Sequence, residues 1–240
     1  MIIYYVLDGS PKHAFQFKIS VESIRKHNQN INIKLFSYQS SVNKEFCDKF
    51  DIELIQKPSS DLKCFLKWDA LSEIKSNEIL YLDADTFCLD DPKKLKSNSL
   101  FSARREVLTE SNTHLININK FHELQKTLGS IKFPIFSNGV MKFNINYPVL
   151  ICKKIFEFKE MFERNKRLYP SFNIHIMDEV CSSLSLGIQQ TEYKFFEPKE
   201  VSFFQERNLA KIILHTWTSN YPKFLFDFFG EEKMKEYIEL

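Results

Sequence analysis

The sequence predicts an α/β fold: a mostly parallel central sheet flanked by helices on both faces. Three observations carry that expectation. Short continuous apolar runs recur at residues 2–7, 31–36 and 79–82, as strands buried on both faces require. Apolar residues at helical spacing fall between them. The two patterns alternate in the order that builds parallel strands joined by crossover helices. The chain has 240 residues, 43% hydrophobic and 27% charged, enough to bury a sizeable core without disulfides or metals.

Taken in order, 2–7 is a first buried strand, broken by Asp8-Gly9-Ser10-Pro11. Ser10 is placed to cap a helix and Pro11 suits its first position. Ala14, Phe17, Val21 and Ile24 then mark the buried stripe of that helix. Residues 31–36 form a second strand and 52–55 a third; 65–74 reads as a helix. A fourth strand, 79–82, ends at Asp83-Ala84-Asp85. The stretch 104–131 opens with Arg104-Arg105 and carries a weak helix near 121–128. Residues 139–143 read as a strand and 149–162 as an amphipathic helix. Met177, Cys181 and Leu184 place an apolar stripe on a short helix that stops at Gly187. A late strand, 212–214, ends at His215. With no repeat, low-complexity tract or linker, 1–240 is expected to be a single domain with a C-terminal extension.

Composition removes several function classes. Thirty-three basic against 31 acidic residues give a net charge of +2, so no strong field points to nucleic acid. The excess of Phe, 24 residues, is read as core filler. Five cysteines are odd in number, spread out and without a C-x-x-C pair, which favours free thiols in a reducing compartment. The apolar N-terminal run is too short to span a membrane and lacks the marks of a signal peptide. A soluble cytoplasmic protein is the expectation. The apolar run 223–229 is suited to a bilayer surface, but packing on the domain's own core is the favoured reading.

The most informative segment is Ile79-Leu80-Tyr81-Leu82-Asp83-Ala84-Asp85-Thr86. An apolar strand delivers two carboxylates, one residue apart, where a parallel sheet opens its ligand crevice. Alternation along an extended chain would point Asp83 and Asp85 to the same side. Two unit charges about 4 Å apart repel by roughly 4 kcal/mol at an effective dielectric of 20. A divalent cation removes that conflict, and Mg²⁺ or Mn²⁺ takes carboxylates together with phosphate oxygens. The bland alternative is an acidic turn that caps something nearby.

These residues resemble the D-x-D segment of GT-A-fold nucleotide-sugar glycosyltransferases, closest to glycosyltransferase family eight. Further segments follow in the family's order. Val6-Leu7-Asp8 with Ser20-Val21-Glu22-Ser23-Ile24 is similar to its first strand and helix. A basic helix, 63–74, carries Lys67. Phe136-Ser137-Asn138-Gly139-Val140-Met141-Lys142-Phe143-Asn144 resembles its "F-N-x-G-V-M-x-F-N" segment, and Met177-Asp178-Glu179 its "D-Q-D" segment. Leu214-His215 stands where a late histidine completes the metal site. The resemblance spans roughly residues 2 to 220.

The resemblance implies a GT-A (Rossmann-like) fold, with a nucleotide-binding half over about 1–100 and an acceptor half over about 101–240. It implies a hexosyl- or similar transferase that moves a sugar from a nucleotide-sugar, with UDP favoured, to a saccharide or glycan acceptor. Asp83, Asp85 and His215 would ligate Mn²⁺ (or Mg²⁺), a Lewis acid on the leaving diphosphate; a core histidine is the alternative for His215. Trp217 would stack on a sugar or base, or sit in the core. Asp8 would bind the nucleoside or close a turn. Lys67 would pair with a phosphate or remain solvated. Asn138 and Gly139 would meet sugar hydroxyls or form a plain turn. Asp178 is expected as the cap of the helix that ends near Gly187, and Asp178 or Glu179 as the carboxylate at the reacting centre. The sequence departs from the family by Glu179 where Gln is usual, by Ser137 where many members have Asn, and by lacking the glycine and lysine after the histidine. Stereochemistry and phosphate gripping therefore stay open.

Two rivals share parts of the pattern. A haloacid-dehalogenase-type phosphatase also has D-x-D after an apolar strand, but Phe87 and Cys88 stand where that pattern wants Thr or Val. A non-catalytic nucleotide-sugar-binding module has no need of the full Asp83, Asp85 and His215 set.

Overall fold

In a computed structural model of the chain, residues 1–38, 44–106, 118–127, 129, 133–144, 148–164 and 177–216 are described. The elements run β1 (Ile2–Leu7), α1 (Pro11–His27), β2 (Asn32–Tyr38), α2 (Lys44–Lys49), β3 (Ile52–Lys57), α3 (Leu66–Ser72), β4 (Glu78–Leu82) and β5 (Thr86–Cys88). They continue with β6 (Phe101–Arg105), α4 (Ile118–Thr127), β7 (Phe136–Asn144), α5 (Pro148–Arg164), α6 (Met177–Ile188), β8 (Tyr193–Phe196), β9 (Val201–Phe203) and β10 (Ile213–His215). Seven strands form one sheet in the order β3-β2-β1-β4-β7-β6-β8, and three form a second, β5-β10-β9. The α/β class with a mostly parallel sheet is thus as expected.

Several local expectations are corrected. Pro11 opens α1 as predicted, but the Ser10 side chain makes no capping bond. Asp8 Oδ1 instead accepts the Ser10 N–H at 3.0 Å, and this tight turn leads the chain into the helix. The helix expected over 65–74 begins as a single 3-10 turn, Lys63–Phe65, and its α-helical part ends at Ser72. The strand expected over 139–143 starts three residues earlier, at Phe136. Elements α2, β5, β6, β8 and β9, three to six residues long, were not among those expected. Trp217 and the apolar run 223–229 lie outside the described residues.

The chain divides into two compact units. The first takes Met1–Ser59, Leu80–Lys96 and the chain from Phe196. In it β1, β2 and β3 pair in parallel, from Ile2↔Asn32 to Leu7↔Ser37 and from Ile33↔Ile52 to Tyr38↔Lys57. α1 buries Phe17, Ile19, Val21 and Ile24, and Phe17 meets the Tyr5 ring edge-on at 5.0 Å. Fully burying side chains of this kind contributes roughly 1.5–3 kcal/mol each. Arg25, 5% exposed, ties α1 to the chain carbonyls of Phe50, Ile31 and Asp51, which answers its desolvation. β10 runs antiparallel to β5 and parallel to β9, so His215 lies opposite Thr86.

The second unit takes Ser60–Ile79 and Ser97–Phe195. β6 and β7 pair antiparallel from Phe101↔Phe143. Their core is aromatic: Phe101 lies 4.7 Å from Phe136 and 5.2 Å from Phe143, and Trp68 meets Phe143 edge-on at 6.2 Å. Lys142, buried in β7, is compensated by Glu78 at 2.8 Å. Ala103 pairs with Met141 but Arg104 with Ser137, so the register jumps past residues 138–140. Such a bulge bends its strand and re-aims side chains. Among the described residues no helix is long and apolar enough to cross a membrane.

Candidate functional site

In the first unit, β4 ends at Leu82 and hands the chain to Asp83. The chain does not stay extended there, contrary to expectation. The Thr86 N–H donates to the Asp83 carbonyl at 3.1 Å, closing a turn over residues 83–86. Both carboxylates nevertheless face one point, because the turn is met by the end of β10. His215 is 6% exposed; its Nε2 lies 3.3 Å from Asp85 Oδ1 and 3.7 Å from Asp83 Oδ2. One ligand atom from each of the three residues falls within 4.8 Å of the others. Two carboxylate oxygens and an imidazole nitrogen form a set that could hold a divalent cation.

Asp8 follows β1, which neighbours β4 in the sheet. Its Oδ1 accepts the Ser10 N–H and also lies 3.0 Å from His13 Nδ1. The hydrogen bond with His13 holds the Asp8 carboxyl below its ordinary value and raises the His13 imidazole, which the Asp85 and Asp83 charges raise further. Nothing in the residue spacing singled out His13. Its signal was only its place in the first turn of α1, five residues after Asp8.

In the second unit the structure gathers Lys67, Asn138, Asp178 and Glu179. Asp178, 2% exposed, lies in the first turn of α6 and not at its cap, since that helix already begins at Met177. Its Oδ2 accepts the Asn138 side-chain amide at 3.0 Å and lies 3.3 Å from Lys67 Nζ. Asn138 stands in the β7 bulge; its Oδ1 accepts the Ser182 hydroxyl at 3.3 Å, and its N–H donates to Glu179 Oε1 at 3.4 Å. The next residue, Gly139, donates its N–H to the Ser137 hydroxyl at 3.3 Å. Burial pushes the Glu179 carboxyl up to about 8, with the Asp178 and Glu106 carboxylates adding to the effect. Glu106, just past β6, had no signal in the sequence. The pairing of β6 with β7, through the Glu106 N–H and the Ile135 carbonyl at 3.1 Å, brings it to this group.

No protein-family model and no curated protein sequence matches the chain. Solved structures do. The galactosyltransferase LgtC, crystallised with donor and acceptor sugar analogues, superposes with a TM-score of 0.62 at 12% identity, over 92% of this chain and 89% of that one. Mouse xyloside xylosyltransferase 1 superposes with a TM-score of 0.57 at 11% identity, over 89% of this chain and 96% of that one. The glycosyltransferase GlyE of Streptococcus pneumoniae TIGR4 gives 0.57 at 14% identity, over 89% of this chain but 54% of its own. The chain therefore has the GT-A fold of these glycosyltransferases.

Proposed function

We propose that the protein is a metal-dependent glycosyltransferase that moves a sugar from a nucleotide-sugar, with UDP the favoured nucleotide, to a saccharide or glycan acceptor. The observation that carries this reading is the convergence of Asp83, Asp85 and His215 at the end of β4, on a fold whose solved examples include glycosyltransferases. These three residues would hold Mn²⁺, or Mg²⁺, which supplies Lewis-acid stabilisation of the departing nucleoside diphosphate. A sheet with its ligand groups at the carboxyl ends of adjacent strands supports the donor assignment.

Asp8 is assigned to the nucleoside, its carboxylate pre-oriented by Ser10 and His13. In the second unit Lys67, Asn138 and Gly139 are assigned to the sugar and its phosphate. Asp178 and Glu179 are assigned to the reacting centre. The two carboxylates differ in surroundings. Asp178 is compensated by Lys67 and Asn138, whereas Glu179 accepts a backbone N–H beside two further carboxylates. Asp178 thus suits a fixed, positioning role, and Glu179 suits a group that exchanges a proton near neutral pH. Five free thiols fit a reducing compartment, so we place the protein in the cytoplasm.

The test is a screen of nucleotide-sugars with and without Mn²⁺, read by thermal shift and by nucleoside diphosphate release. A transferase shows a metal-dependent shift and diphosphate release with its own donor. Release of inorganic phosphate would indicate a phosphatase, and a shift without turnover a binding module.

A further inference from the structure

Resting on that metal reading, we propose that Tyr81 is a positioning residue that restricts Asp83 to one-oxygen coordination and so tunes the site toward Mn²⁺ and Mg²⁺ and against Ca²⁺. The two Asp83 oxygens have different surroundings. The Tyr81 hydroxyl donates to Oδ1. Oδ2 is the oxygen on the His215 side, 3.7 Å from Nε2. Tyr81 lies near the end of β4 and Asp83 follows the strand directly, which brings the phenol to the carboxylate.

The tyrosine cannot easily yield. Its side chain is buried, 3% exposed, and its ring is packed 4.9 Å from the Tyr4 ring. The Asp83 main chain is also fixed, by Thr86 Oγ1 and N–H on its carbonyl. A carboxylate held by one oxygen and clamped along its backbone presents its other oxygen as a single ligand. Mg²⁺-type sites, small and octahedral, accept one oxygen per carboxylate, whereas Ca²⁺ takes more ligands and gains from carboxylates that bind through both oxygens. The phenol thereby sets ligand number as well as ligand direction.

The test compares wild type with Tyr81→Phe, which keeps the ring against Tyr4. Free Mn²⁺ is followed by electron paramagnetic resonance during titration of the protein, and Ca²⁺ is then added as competitor. Loss of a partner behind a metal ligand lowers affinity by roughly 10-fold to 100-fold, the loss expected here for Mn²⁺. The Ca²⁺:Mn²⁺ competition ratio should rise in the variant. Unchanged Mn²⁺ affinity overturns the proposal, and so does an equal loss for both ions. If wild type takes up no Mn²⁺ at all, the metal reading itself falls, which separates the two failures. A second measurement needs no variant. The infrared difference spectrum of wild type on Mn²⁺ addition should show the wide splitting of carboxylate stretches typical of one-oxygen binding; a narrow splitting alone overturns the proposal.

Discussion

Thr216 holds the main-chain carbonyl of Asp85 twice, through its N–H at 3.0 Å and its hydroxyl at 2.8 Å. The contact joins residues 131 positions apart and fixes one proposed metal ligand from the strand that delivers another, His215. Thr216→Val keeps the shape and the N–H bond but removes the hydroxyl. The expected cost is about 1 kcal/mol of stability in urea unfolding. Mn²⁺ affinity should fall as well, because Asp85 loses part of its anchor; an unaltered Mn²⁺ titration would deny Thr216 that role.

Metal linkage gives a second expectation. At a Mn²⁺ concentration 100 times the dissociation constant, binding stabilises the native state by about 2.7 kcal/mol. For a chain of this size that corresponds to roughly 5–11 °C in the unfolding midpoint. Asp83→Ala and Asp85→Ala should abolish the Mn²⁺-induced rise and metal-dependent transfer, and EDTA should do the same to wild type. A mutant that keeps the full rise would place the cation elsewhere.

Glu179 contributes a pH dependence of its own. Its carboxyl has an ordinary value of 4.5 and is raised to about 8, first by burial and then by the neighbouring carboxylates. A folded-state value above the unfolded one means that the native protein holds this proton more tightly. Its contribution to stability is full below about 4.5 and is lost as pH rises through about 8. Glu179→Gln removes that dependence. Wild type should therefore lose stability relative to the Gln variant between pH 5 and pH 9, by on the order of a few kcal/mol, as read by denaturant unfolding at each pH. If ionised Glu179 serves the reaction, the wild-type rate also rises with pH through about 8, and the limb is missing in the variant.

Lys67 is the nearby cation beside buried Asp178, at 3.3 Å. Lys67→Met leaves that carboxylate without it and should cost about 3–5 kcal/mol, the usual penalty for breaking a buried pair from one side. Lys67→Arg keeps the charge and should restore most of the stability. If Met and Arg variants unfold at the same denaturant concentration, the ion pair contributes nothing to the native state.

Asn138→Asp tests the other donor. It replaces an amide that donates to Asp178 Oδ2 at 3.0 Å by a further acid beside Asp178 and Glu179. The variant should lose about 3 kcal/mol at pH 8 and recover toward pH 5, where the added carboxyl takes up a proton. Equal losses at both pH values would mean that the cost comes from packing alone.

Local patterns along the chain encode the early elements and little more. Apolar runs placed β1, β2 and β4, Pro11 opened α1, and the acidic doublet had to follow a buried strand. Candidate ligands could be named because residue chemistry is local: Asp, His and Asn keep their donor and acceptor character wherever they lie. Which of them meet is a matter of long-range strand pairing. His215 reaches Asp83 and Asp85 because β10 pairs with β5, and Glu106 reaches Glu179 because β6 pairs with β7 across a bulge. Strand pairing across long separations is chosen by the burial and hydrogen bonding of the whole sheet, so no window of sequence contains it. The same holds for the turn at 83–86, where Thr86 and Thr216 fold back a segment that alternation alone would have drawn as extended.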